Sequence, residues 1–160
     1  MKRLWASWRM KYISKANEQT GCVFCNALAK KDDEENLIVL RGKHAFIILN
    51  KYPYTSGHAM VAPLEHHANL EDLTPAARAE MMELASECMS ALRKIYHPHA
   101  FNLGANIGEA AGAGVPGHIH LHIVPRWNGD TNFMSTIGEI RVLPENLEET
   151  YKRIKASMAP

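Results

Sequence analysis

Apolar positions along this chain fall into two patterns. Five short apolar or alternating runs, bounded by turn residues, predict strands, and two longer stretches with apolar residues every three or four positions predict helices. From Asn36 to Pro53 two apolar runs flank Gly42-Lys43, a Gly-first pair suited to a type II′ hairpin turn. His58 to Pro63 predicts a third short strand ended by proline, and Ala100 to Ile107 a fourth. The fifth lies within GHIHLHIVPRW, Gly117 to Trp127, where His118, His120 and His122 alternate with Ile119, Leu121 and Ile123. Side chains on a strand point alternately to opposite faces, so one face carries imidazoles toward solvent and the other packs into the core.

The first helix opens at Thr74-Pro75, an N-cap followed by proline at the first helical position. Ala77, Met81, Leu84, Cys88, Leu92 and Ile95 form its core-facing stripe, it ends near Tyr96, and Pro98 stops it. A last helix begins at Pro144, with Leu147, Tyr151, Ile154 and Met158 along one side. Five strands and two main helices make an α+β chain. A length of 160 residues implies one domain over residues 1–160, with 1–20 as a basic, aromatic arm that packs on the domain or on a partner subunit.

Charge narrows the partners. Eighteen basic against 17 acidic residues leave no global field for nucleic acid or a membrane surface, and no stretch is apolar enough to span a bilayer. Three cysteines, two of them in Cys22-Val-Phe-Cys25, suit a reducing compartment, by default the cytoplasm.

Three motifs carry chemistry. Imidazoles about 6.6 Å apart along a strand are too widely spaced for all three to hold one metal, so some must serve as nucleophile, acid or donor. Cys22 and Cys25 have the spacing of half a tetrahedral metal site, with two ligands still to come from elsewhere; two small buried thiols are the alternative, and a redox pair lacks the preceding strand. His66 and His67 belong to a solvated loop or supply one further ligand. Gly112 to Gly117 contains a literal G-x-G-x-x-G, but Pro116 and the strand after it allow no helix, which excludes a dinucleotide fingerprint. The loop is a flexible connection or an anion nest.

His118-Ile-His120-Leu-His122-Ile-Val124 resembles the signature of the histidine triad family of nucleotide hydrolases and transferases. Asn50 to His58 resembles the family's Asn followed by Gly-His, Pro63 to His66 its Pro-x-x-His, and Asn106-Ile-Gly108 the segment before its glycine loop. The flanks LWASWRMKY, CVFC and PRWNGDTNF are similar to those of the bacterial diadenosine tetraphosphate phosphorylases within it. The resemblance implies a five-stranded antiparallel sheet, usually paired as a homodimer. It implies that His120 attacks the α-phosphorus of a bound nucleotide and that His122 hydrogen-bonds the phosphate or leaving group. Asn106 and the loop Gly112, Ala113 and Gly114 would stabilise phosphate oxygens, Asn50 would hold the ribose, Ile48 would touch the base, and His58 would belong to the substrate-binding set. It further implies a structural zinc on Cys22, Cys25, His66 and His118, and no organic cofactor.

One departure stands out. Where many members carry Gln-Ser, Gln-Thr or Gly-Ser ahead of the triad, this chain has Ala113-Gly114, leaving room and bare N–H groups for an anion. The same room would admit water, and it is the likeness of the flanks that implies inorganic phosphate as the group resolving the His120 intermediate, so that diadenosine tetraphosphate gives ADP and ATP. Hydrolysis of dinucleoside polyphosphates or other nucleotide conjugates is the enzymatic alternative. A nucleotide-binding regulator and a zinc-stabilised interaction module are the non-enzymatic ones.

Overall fold

The computed structural model describes residues 21–131 and 143–159. The expected arm over residues 1–20 and the end of the turn-rich loop after Trp127 lie outside the described residues. In chain order the elements are α1 (Val23–Ala29), β1 (Ile38–Arg41), β2 (Ala45–Leu49), β3 (Ala59–Pro63), α2 (Pro75–Tyr96), β4 (Ala100–Gly104), a 3-10 turn (Glu109–Ala111), β5 (Leu121–Arg126) and α3 (Leu147–Met158). The strands form one antiparallel sheet in the order β1-β2-β3-β5-β4. No helix among the described residues is long and apolar enough to cross a membrane.

Both faces of this sheet are covered. Ile47, Leu49, Val61, Ile119 and Ile123 pack on one side with Met81, Leu84 and Leu92 of α2 and Ile154 of α3. On the other side Ile38, Phe46, Ile48, Met60 and Ala62 pack under Phe24 and Ala27 of α1. Double coverage explains why β2 and β3 are buried at every position and read as continuous apolar runs.

Several expectations change in detail. A third helix, α1, accompanies the two main ones; it is only seven residues long, and Phe24 and Ala27 are its buried positions. α3 begins at Leu147 rather than Pro144, because Asn146 is the N-cap and its side chain accepts the Glu149 N–H at 2.9 Å. β4 ends at Gly104, short of Ile107. The β1–β2 turn is not type II′, since Gly42 is not among the glycines with positive φ. Glycine is needed there for space: a Cβ would lie 2.8 Å from the Ala45 carbonyl oxygen and 2.8 Å from Glu80 Oε1.

Glu80 of α2 reaches this turn and takes the place of turn chemistry. Its carboxylate accepts the Lys43 N–H at 2.9 Å, the Ala45 N–H at 2.8 Å and the His44 N–H as well. Partial burial works to raise its pKa, and the three amide hydrogen bonds outweigh it, holding the carboxyl below its ordinary value of 4.5. Glu80→Gln leaves one acceptor oxygen for three donors and is expected to cost about 1–3 kcal/mol at neutral pH. A depressed folded-state pKa means the carboxylate's contribution is complete above 4.5 and is lost as pH falls through the lower folded value. Urea unfolding of both proteins should therefore show a stability gap at pH 7 that narrows in acid; a gap independent of pH would refute the assignment.

Candidate active site and metal centre

The strand registers set Ile48, Met60, His122 and Gly104 in one row across β2, β3, β5 and β4. That row puts Ile48 and His122 on the α1 side of the sheet. That face is not fully open: two of the three imidazoles expected to face solvent are buried, and His122 is half-buried. His118 is 0% exposed and His120 4%, because Phe24 of α1 roofs both, with ring centroids 5.1 Å and 4.9 Å away.

The histidine run also departs from a continuous strand, since regular pairing begins only at Leu121. Pairing of Val61 with Leu121 carries Ile119 opposite Pro63, which has no N–H to donate. The ladder stops there. The Ile119 N–H bonds instead to the His67 carbonyl at 2.7 Å, and the Pro63 carbonyl accepts from His118 Nε2 at 2.9 Å. Freed from the pleat, the rings come closer than strand spacing predicts: His120 and His122 have centroids 4.9 Å apart, inclined by 66°.

Backbone groups assign the protons. His120 Nδ1–H donates to the His118 carbonyl at 2.8 Å, which places the lone pair on Nε2. The Tyr54 N–H donates to His58 Nδ1 at 3.1 Å, so His58 carries its proton on Nε2 and gives it to His122 Nδ1 at 2.9 Å. His122 is then protonated on Nε2. The site therefore presents one imidazole lone pair and, beside it, one imidazole N–H donor.

Burial keeps these rings neutral. Loss of solvation, reinforced by His120, lowers the pKa of His122 to about 4. For His58 the same loss, with His122 and His120 adding to it, gives about 3. Burial lowers His120 too, against the opposing hydrogen bond from its ring to the His118 carbonyl. Near neutral pH His120 Nε2 thus carries a free lone pair without the help of a neighbouring base.

The remaining candidates sit around this centre. His58 is 1% exposed and stands behind His122. Ile48 is 8% exposed within the apolar patch under α1. Asn50 borders His58, and its amide oxygen accepts the Tyr52 N–H at 2.9 Å. The glycine loop leaves β4 beside His122 and opens no helix beyond the 3-10 turn, as expected. Its N–H groups are less available than the sequence suggests: that of Gly112 bonds to the Glu109 carbonyl at 2.9 Å and that of Ala113 to Gly108 at 3.3 Å. Gly114 is the remaining candidate of the three. Asn106 is exposed, and its amide donates to the Gly112 carbonyl at 3.4 Å, bracing the loop from below.

Behind His118 lies a second cluster. Cys22, Cys25, His66 and His118 bring four ligand atoms within 4.8 Å of one another. His118 Nδ1 lies 3.3 Å from Cys22 Sγ and 3.6 Å from Cys25 Sγ, and His66 Nδ1 lies 3.3 Å from Cys25 Sγ. Sulfur and nitrogen ligands on a tetrahedral ion are separated by roughly 3.6 Å, so the four fit one metal of zinc size. The Pro63 carbonyl completes the fit by holding the His118 proton on Nε2, away from the ligand position. His67, the other member of the histidine pair, lies outside this set and pairs with Glu65 at 3.3 Å.

Sequence reasoning missed Phe24, the roof over His118 and His120, and Tyr54, whose ring lies 4.4 Å from that of His58. Pro63 left a usable signal: a proline ending a strand frees the ladder partner opposite it.

The HIT domain family model matches residues 31–129. The chain belongs to this family, the histidine triad proteins. It is 36% identical to the AP-4-A phosphorylase of Mycobacterium tuberculosis, over 99% of this chain and 85% of that protein. A hypothetical histidine triad nucleotide-binding protein of Sulfolobus tokodaii superposes with a TM-score of 0.70 at 28% identity, over 86% of this chain and 91% of that one. A zinc-bound histidine triad family protein of Mycobacterium smegmatis superposes with a TM-score of 0.63 at 27% identity, over 92% and 91% of the two chains.

The four-ligand cluster is expected to take one equivalent of Co2+ per chain, with a thiolate-to-metal charge-transfer band and the visible absorption of a tetrahedral ion. Cys25→Ala should abolish both. An octahedral spectrum, or one unchanged in Cys25→Ala, would refute the shared site.

Proposed function

We propose that the protein cleaves dinucleoside polyphosphates by nucleotidyl transfer through His120, with inorganic phosphate as the acceptor. The observation that carries this reading is the hydrogen bond from His120 Nδ1–H to the His118 carbonyl, which points an unprotonated Nε2 into the site. Attack by Nε2 on the α-phosphorus forms a P–N bond as the P–O bond to the leaving nucleotide breaks. The ring retains its Nδ1 proton and becomes cationic, so its bond to the His118 carbonyl gains charge assistance as the intermediate forms. His122 donates an Nε2–H hydrogen bond to the leaving oxygen. It donates no proton, since a neutral imidazole is too weak an acid. A phosphate oxygen then attacks the same phosphorus, the P–N bond breaks, and His120 returns to its starting state.

Diadenosine tetraphosphate would yield ADP and ATP by this route, whereas water as acceptor would give AMP and ATP. The M. tuberculosis relative, similar over nearly the whole chain and named AP-4-A phosphorylase, supports the first outcome. In this reading Asn50 holds the ribose, Ile48 the base, and Asn106 with Gly114 the phosphate oxygens, with Gly112 and Ala113 shaping the loop and His58 orienting His122. Zinc on Cys22, Cys25, His66 and His118 would supply a brace between α1 and the segment entering β5, and no chemistry. The zinc-bound M. smegmatis protein supports that choice of metal. A homodimer and a reducing cytoplasm complete it; among the described residues β4 is an end strand of the sheet, an edge to which a second copy would add.

The test is product analysis of diadenosine tetraphosphate with and without millimolar phosphate. ADP and ATP in phosphate support the proposal, and AMP formed at the same rate in both refutes the acceptor. His120→Ala should lower kcat by at least about a thousandfold. Because His120 is 4% exposed, that variant also leaves a void beneath Phe24 and should cost about 1–3 kcal/mol of stability. More than a few per cent residual activity would defeat the nucleophile assignment. Elemental analysis of protein purified without chelator should find one zinc per chain, and sedimentation should give twice the chain mass.

A further inference from the structure

Tyr54 stands at the outer end of the imidazole row. Its ring centroid lies 4.4 Å from that of His58, inclined by 46°, and 6.0 Å from that of His122, nearly parallel at 19°. Tyr54 is 40% exposed and His58 behind it 1%, so the phenol ring covers His58. The loop carrying it is fastened independently of that ring. Buried Thr55 donates its hydroxyl to the Pro125 carbonyl at 3.0 Å. Gly57 holds φ at +77°, with Leu92 Cδ2 only 2.8 Å from where a Cβ would stand. The backbone bond from Tyr54 to His58 can thus persist with another side chain at position 54.

That bond and the His58–His122 bond fix only part of the geometry. A single hydrogen bond at Nδ1 lets the His122 ring swing about it, and water entering beside His58 would compete for the same nitrogen. Loss of the His58 bond would free His122 to carry its proton on Nδ1, which would turn a lone pair, not a donor, toward the leaving group. The Tyr54 ring, nearly parallel to His122 and tilted against His58, opposes the swing and keeps water from His58.

We propose that Tyr54 is a positioning residue for the leaving-group donor, its ring holding His122 with Nε2–H aimed at the oxygen that departs. The inference rests on the histidine-transfer reading above. It assigns the work to the ring face, so phenylalanine should suffice.

Two esters of AMP separate this role from a structural one: the p-nitrophenyl ester, whose leaving group needs little help, and the phenyl ester, whose leaving group needs much. Tyr54→Ala should lower kcat on the phenyl ester about tenfold more than on the p-nitrophenyl ester, while Tyr54→Phe stays within about threefold of wild type on both. Equal losses on the two esters, or Phe as damaging as Ala, would overturn the proposal. A second measurement needs no turnover. Long-range 1H–15N spectra of the full protein at neutral pH should show His122 as the Nε2–H tautomer in wild type and Tyr54→Phe, and as a tautomer mixture in Tyr54→Ala. An unchanged tautomer in Tyr54→Ala would also overturn it. If wild type cleaves neither ester nor diadenosine tetraphosphate, the transfer reading fails on its own, and the spectra still decide what Tyr54 does.

Discussion

Two backbone carbonyls decide what this site can do, because each fixes the proton on one imidazole. The His118 carbonyl holds a proton on His120 Nδ1 and exposes Nε2; the Pro63 carbonyl holds one on His118 Nε2 and turns Nδ1 toward the cysteines. Both depend on the same interruption of the sheet. A residue with an N–H at position 63 could continue the ladder with the segment entering β5, and extended pairing would draw the backbone groups of residues 118–120 away from these bonds. One proline therefore lets neighbouring histidines present different nitrogens, Nε2 at His120 and Nδ1 at His118.

Burying His58, His118 and His120, with His122 half-buried beside them, costs little only while the rings stay neutral and hydrogen-bonded. Burial of His58, His120 and His122 disfavours the imidazolium, and their mutual proximity disfavours it further for His58 and His122. The neutral cluster is then stable through an ordered chain of N–H donors, from the Tyr54 amide through His58 to His122. Each ring has one donor and one acceptor nitrogen, so the direction of the chain is set where it begins, at a backbone N–H that cannot be reversed.

The strands, the long helix and the face shared by the triad were legible in the sequence because each rests on periodicity and local capping. Thr74 accepting the Ala77 N–H and the alternation of His118 to Ile123 are signals contained within a few residues. What escaped depends on residues far apart in sequence. Glu80 caps a turn nearly forty positions earlier, and the roof over His120 comes from a helix almost a hundred residues upstream, too short to declare itself by periodicity. Burial of the histidines was misjudged for the same reason: alternation shows that two faces differ, not that the polar one is open.

The short helix α1 ties the two halves of the site together. Seven residues are too few to hold a helix in water without tertiary support. Its support comes from Phe24 and Ala27 packing on the sheet, from Arg41 donating to the Leu28 and Lys30 carbonyls at 3.1 Å, and from Cys22 and Cys25 reaching His118 and His66. Phe24 lies between the two cysteines in sequence and over His120 in space. Any change in how the cysteines are held must therefore move the ring that lies over His120. The four-ligand cluster and the His120–His122 pair share no residue, yet one aromatic side chain makes the solvation of His120 depend on the position of Cys22 and Cys25.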